Sequence, residues 1–142
     1  MAGLASEMLE IVERTTVTTA LNTAEGLAEK SEDTEDYFWL PSLEEMYIMP
    51  QLENVEGEDW DYYKALAAEA GLPGKFATGS TYAQLITNNV AAKTTPVNVR
   101  LRSATHSNAT NTWHVHSSGN VNYKYASGGY RGCPACKIKK SE

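Results

Sequence analysis

Residues 99–138 read VRLRSATHSNATNTWHVHSSGNVNYKYASGGYRGCPACKI. Two kinds of position interleave there. Val99, Leu101, Trp113, Val115, Val121, Ala126, Pro134 and Ile138 have the character of a framework. Between them stand small, polar or aromatic residues: His106, Ser107, Asn108, Thr110, Asn111, Thr112, His114, His116, Asn120, Asn122, Tyr123, Lys124 and Tyr125. The alternation Trp113-His114-Val115-His116 predicts a strand with Trp113 and Val115 on one face and both histidines on the other. Ser118-Gly119 is a turn signal, and Val121 starts the return strand. The expectation is a hairpin with one buried face and one face dressed for contact.

This order of blocks resembles a known family. Arg102-Ser103-Ala104 after Leu101, then a variable run, then Trp113, Val115, Gly119 and Val121, then Ala126 and Pro134-Ala135-Cys136, is similar to the C-terminal part of C-type-lectin-fold proteins of bacteriophages and gut bacteria. Many of these are variable proteins of diversity-generating retroelements. FWLPSLEEMY at 38–47 and EGEDWDYYK at 56–64 are similar to the upstream part, so the resemblance covers about residues 37–138. It implies one α+β, C-type-lectin-like domain over 1–142, with two helices packed on twisted antiparallel sheet and long loops. It implies a hypervariable ligand-binding protein rather than an enzyme, with no catalytic residue; no cofactor and no metal-ligating residue is assigned from the sequence. The variable region is 99–138, and the contact face is built by 105–129. The ligand-contacting positions carried over are His106, Asn108, Thr110, Asn111, Thr112, His114, His116, Asn120, Asn122, Tyr123, Lys124, Tyr125, Ser127 and Tyr130. The implied partners are a bacterial surface protein or glycan, other virion or surface-attachment proteins, and further copies of the chain in a trimer. The implied location is a phage virion or a bacterial surface.

The residues of that face carry their own physical argument. Tyrosine supplies rigid amphipathic area at low entropic cost, while Ser, Asn and Gly supply adaptable hydrogen bonds, as in antibody paratopes. In the resembled family the same bias follows from mutation at adenines in codons for Asn, Thr, Ser, Tyr and Lys.

Composition sets the outer bounds. A chain of 142 residues with 42% hydrophobic content fits one domain of ordinary size. No run of about 18 apolar residues predicts a membrane span, and no secretory signal is visible; lysis would release a virion protein without one. The net charge of −6 hides an asymmetry: residues 1–72 carry 17 acids and 3 bases, and residues 73–142 carry 1 acid and 9 bases. A basic half can mark a nucleic-acid surface. Here the bases are dispersed and not interleaved with stacking aromatics, so the two halves are expected to pack together and compensate.

Upstream, Leu4, Met8, Ile11 and Val12 keep helical spacing before the β-branched run TTVTT at 15–19. Residues 20–30 suit a second short helix. The whole segment 1–30 reads either as an attachment or oligomerisation arm, or as the first strand and flank of the domain, with RTTVTT pairing to the last strand. SEDTED at 31–36 reads as a flexible acidic junction; it lacks the spacing and glycine of a calcium loop. Tyr37 to Leu40 predicts a short strand. Ser42 and Glu45 have the spacing of a capping box that opens a helix. Asp59 is the expected N-cap of a helix over 60–70, which Gly71 and Pro73 stop. Residues 81–92 suit helix and strand about equally.

Chemistry-bearing patterns are sparse. Cys133 and Cys136 form C-P-A-C, but no helix follows to lower a thiol pKa as in redox dithiols, so small residues in a last strand, reduced or joined to each other, are expected. His106, His114 and His116 could supply three zinc ligands, yet no carboxylate stands near to orient them. No nucleophile motif is present. Two other function classes remain beside the binder: a structural virion or assembly protein with no diversified binding, and an enzyme of the formylglycine-generating type that works through its cysteines.

Overall fold

A computed structural model of the chain describes residues 6–21, 30–49, 56–69, 71–75, 98–105, 108, 110–117 and 120–141. Among the described residues it has eight strands and two short helices: α1 (Ser6–Ile11), β1 (Val12–Glu13), β2 (Thr15–Ala20), β3 (Ser31–Asp36), α2 (Asp61–Glu69), β4 (Val99–Ala104), β5 (Asn111–Val115), β6 (Val121–Tyr125), β7 (Arg131–Gly132) and β8 (Lys137–Ile138). The strands form three separate sheets: β1 with β8, β2 with β3, and a four-stranded sheet ordered β6-β5-β4-β7. This overturns the expected α+β, C-type-lectin-like fold with two helices packed on antiparallel sheet. Strand far outweighs helix among the described residues, in several sheets, and β4 pairs with β7 in parallel. Of the helices only α2 buries side chains, while α1 buries none.

Several local expectations change for identifiable reasons. The 31–36 segment is not a loose junction. It is a full strand, registered residue for residue on β2 from Thr15↔Asp36 to Ala20↔Ser31. The β-branched run of β2 offers a good template. Its hydroxyls take up the acidic side chains across the ladder, Thr16 donating to Glu35 and Thr18 Oγ1 to Asp33 Oδ1 at 2.7 Å. RTTVTT therefore pairs with SEDTED, and the last strand pairs instead with Val12 and Glu13. Tyr37 to Leu40 contributes no strand, only a bridge between Trp39 and Ala135. Asp59 does not cap α2, because its carboxylate lies 2.5 Å from the Lys75 ammonium. The Trp60 carbonyl accepts the first helical bonds, from Tyr63 and Lys64. At the other end Gly71, at φ +71°, closes α2, with Leu72 N–H bonded to Ala67 O at 3.0 Å. The expected helix over 20–30 and the segment 81–92 lie mostly or wholly outside the described residues.

The capping box at Ser42 forms, but no helix grows from it. Glu45 N–H donates to Ser42 Oγ at 3.1 Å, and Ser42 N–H to Glu45 Oε2 at 3.1 Å. The chain then makes a single turn and reverses at Tyr47, which takes φ +60°. The Glu45 carboxylate is also engaged elsewhere. Arg102, on β4, meets it with two bonds, Nη1 to Oε2 at 2.7 Å and Nη2 to Oε1 at 3.0 Å. The same guanidinium donates to the carbonyls of Leu40, Glu56 and Thr18 at 2.9, 2.9 and 3.0 Å. Both side chains of the pair are more than nine-tenths buried.

Ser103 extends this buried network. Its hydroxyl donates to the Glu56 carboxylate and accepts from Leu43 N–H at 2.9 Å. The other Glu56 oxygen accepts from Ala20 N–H at 3.0 Å. Burial pushes the Glu56 carboxyl above its ordinary pKa, and the Ser103 and Ala20 bonds and the Arg102 charge only partly oppose it.

Around this polar centre sits one apolar core. Leu101, Trp113, Val115 and Val121 from the large sheet pack with Leu43, Met46 and Ile48 of the 42–48 turn and with Tyr63 and Ala67 of α2. Each of the Leu, Val, Ile and Met side chains among these contributes roughly 1.5–3 kcal/mol on burial. Two substitutions test the arrangement. Arg102→Met leaves Glu45 buried and unpaired, and a loss of about 3–5 kcal/mol in urea denaturation is expected. Gly57 takes φ +94°, and an added Cβ would lie 2.6 Å from Glu45 Oε1. Gly57→Ala is therefore expected to cost about 1–3 kcal/mol from backbone strain, before any clash. An Arg102→Met variant within 1 kcal/mol of the parent would show that the pair does not organise the fold.

Candidate functional site

The hairpin expected at 111–125 is present. Strand β5 pairs with β6 from Asn111↔Tyr125 to Val115↔Val121, and His116 N–H closes the end on Asn120 O at 2.8 Å. The turn residues Ser118 and Gly119 lie outside the described residues, as do His106 and Ser107. Strand alternation divides the remaining positions between two faces. One face carries Asn111, Trp113 and Val115 with their partners Tyr125, Tyr123 and Val121. The other carries Thr112, His114 and His116, with Lys124, Asn122 and Asn120 opposite. The tyrosines thus stand on the Trp113 side and Asn122 and Lys124 on the histidine side, so the expected contact residues surround the β6 edge.

Exposure follows position in the sheet. Val121 is buried, and every later residue of β6 is exposed, with Tyr123 at 50% and Tyr125 at 66%. Tyr123 nonetheless has a rigid base. Its ring meets the buried Trp113 edge-on at 5.4 Å and 82°. Asn120, Asn108, Thr110 and Ser127 are exposed, and Asn111, Thr112, His116 and Tyr130 are half-buried. Asn108 is also engaged inside its loop, where its side chain accepts from Thr110 N–H at 2.9 Å and Thr110 Oγ1 at 2.7 Å.

His114 is placed differently from the rest. It is 1% exposed, beneath the surface that the other positions form. The Tyr130 ring covers it at 4.7 Å, with His116 at 6.0 Å. Neither ring nitrogen makes a hydrogen bond of sound geometry among the described residues. Burial lowers its pKa, as do the charges of His116, Arg100 and Lys124; the nearby Asn122 backbone opposes them weakly.

Arg100 joins this site although the sequence pattern does not single it out. It stands across β4 from His114, its guanidinium 4.9 Å from the Tyr130 ring centre. It donates to Thr112 Oγ1, to Gly128 O at 3.0 Å and to Tyr125 O at 3.2 Å, which fastens the 126–130 loop over the sheet. The alternation Val99-Arg100-Leu101 was the signal that could have found it.

The other candidate chemistry stays apart from this face. Cys133 and Cys136 are free thiols between β7 and β8, and burial raises the Cys133 pKa, away from the reactive thiolate. No cluster of three or more metal-ligating side chains occurs among the described residues. A further surface lies at the chain ends. Met8, Leu9 and Ile11 of α1 and Ile138 of β8 are exposed apolar residues, and Lys139 Nζ bonds the last carbonyls of α1.

The state of His114 yields a signed prediction. Its folded pKa is depressed, so in acid the unfolded chain takes up a proton that the folded chain resists. The His114 contribution to stability is therefore fully present above the ordinary imidazole value of 6.5 and is lost as pH falls from there toward the depressed folded pKa. His114→Phe keeps the ring and removes two unpartnered polar atoms. It is expected to stabilise the domain by about 1 kcal/mol and to shrink the difference between urea midpoints at pH 7.5 and 5.5. An unchanged difference would place the titration elsewhere.

A family model, the domain of unknown function DUF6273, matches residues 2–140. No curated protein and no solved structure matches the chain. The family match runs through both the buried Arg102 centre and the β5–β6 face, and the chain belongs to the DUF6273 family.

Proposed function

We propose that this domain is a ligand-binding module whose contact surface is the β6 edge with the loops beside it. The observation that carries this reading is the exposure of Tyr123 and Tyr125, at 50% and 66%, on a strand whose neighbour is anchored by the buried Trp113 and Val115. Large amphipathic rings held on a rigid base, with Asn120, Asn122, Lys124 and Ser127 around them, suit recognition by many modest contacts. These positions tolerate exchange of side chains, because the bonds that hold β6 in place run through its backbone and through Val121.

The reading extends to a hypervariable protein of the diversity-generating-retroelement kind, displayed on a phage virion or bacterial surface and directed at a bacterial surface protein or glycan. Several copies on one particle would multiply a weak single-site affinity. The exposed apolar residues of α1 and β8 offer a place for attachment to a larger assembly or to further copies of the chain.

Two measurements test this. Deep sequencing of the coding region across a source population should show substitutions concentrated at adenines within codons 105–129, sparing Trp113 and Val115. An even spread would favour a structural role without diversified binding. For any bacterial strain that retains the protein, Tyr123→Ala with Tyr125→Ala should weaken retention about tenfold or more. Stability should fall by no more than about 1.5 kcal/mol, the Tyr123–Trp113 ring contact being the main packing lost.

A further inference from the structure

We infer that the outward edge of β2 is a strand-addition site for an extended, basic peptide segment of another protein. Hydrogen bonds fix which way this strand faces. Leu21 N–H bonds to Lys30 O at 2.8 Å, on the β3 side. Ala20 N–H instead meets Glu56 Oε1 at 3.0 Å, and Thr18 O meets Arg102 Nη2 at 3.0 Å. Successive backbone groups alternate sides in a strand, so residues 16, 18 and 20 point away from β3. The Arg102 network occupies the Ala20 end of that edge. Thr18 N–H and both backbone groups of Thr16 point outward with no partner among the described residues.

That edge opens into a groove of about 820 Å³. Thr15 to Thr18 form one wall, and Trp39, Trp60, Glu58 and Asp61 also line it. Four strand residues span about 13 Å, enough to pair with a segment of four or five residues. Main-chain bonds would supply affinity and the lining side chains selectivity, as in other strand-addition sites.

Charge decides the occupant. Near the groove, Arg102 is engaged by Glu45, Lys75 by Glu44 and Asp59, and Lys64 by Asp61. Among the described lining residues five are acids (Glu44, Glu45, Glu58, Asp59 and Asp61) and two are lysines (Lys64 and Lys137), and Glu58 is in none of these pairs. The excess is negative, and it lies beside two tryptophans that favour cations over their faces. A lysine- or arginine-bearing strand fits. A second copy of β2 would bring its own acidic β3 alongside, and the like charges would repel.

The test uses the full chain and three capped pentapeptides: Lys-Val-Lys-Val-Lys, its Glu-for-Lys counterpart, and the lysine form N-methylated at its third and fourth residues, so that one blocked amide faces the edge in either register. Titration is followed by backbone amide shifts. The lysine peptide should shift the amides of Thr16 and Thr18, and the other two should bind at least tenfold more weakly. Glu58→Lys, at an exposed position, should weaken binding threefold or more with the amide spectrum otherwise unchanged. Equal binding of the N-methylated peptide would reduce the effect to simple charge attraction and overturn strand addition. Shifts confined to β6, or self-association through β2 without peptide, would overturn the assignment of edge and occupant.

Discussion

The guanidinium of Arg102 is the constraint on which the other parts depend. Removed from water, it has to satisfy all its donors inside the protein. It does so by drawing in Thr18 of β2, Leu40, Glu45 of the 42–48 turn and the Glu56 backbone. Three stretches of chain, at Thr18, at 40–45 and at Glu56, are thereby placed against β4. The register shift within β4, between Arg100 and Ala104, is part of the device. In a regular strand two consecutive side chains point to opposite faces. Here both Arg102 and Ser103 enter the same polar network, and the irregular register accompanies that placement. A buried pair of this kind is weak evidence for extra stability. Its contribution is to make the correct assembly of segments the one in which every buried charge has a partner.

The proposed binding surface stands at a distance from that centre in bonding terms. Its supports are the β5–β6 ladder, Val115 and Val121 in the core, and the clamp of Arg100 on the 126–130 loop. None of these needs a particular side chain at 120, 122, 124 or 125. The demands of folding and the demands of recognition therefore fall on different residues. The exception is His114, which belongs to the variable-looking run but lies under Tyr130 and works as packing.

The legibility of this fold in the sequence varies with the range of the interaction. The β5–β6 hairpin is readable because the alternation around Trp113 and the Ser118-Gly119 turn signal in the sequence are local. So are the Ser42–Glu45 cap and the end of α2 at Gly71. What the local pattern could not show is what competes for a side chain. Asp59 looks like an N-cap until Lys75 is brought beside it. The 42–47 stretch looks like a helix start until Arg102 captures Glu45 and Tyr47 turns the chain back. SEDTED looks like a linker because its charge is read alone, without the threonine hydroxyls that receive it on β2. The lectin-like expectation rests on short blocks in a familiar order, and such blocks constrain neighbouring residues more than sheet topology.

The pairing of β1 with β8 brings residues near both ends of the chain side by side, Val12 opposite Ile138. Tension applied through the two ends would thus peel this short ladder apart pair by pair, a low-force geometry, rather than shear a long one. The next element in the path is the two-bond bridge between Trp39 and Ala135, at 3.1 and 2.8 Å. On the N-terminal side β2 follows at once, held along its length by β3 and at Thr18 O by Arg102. A domain tethered at its ends could yield there by a few residues under load and re-form when the load is released, with the recognition surface still folded.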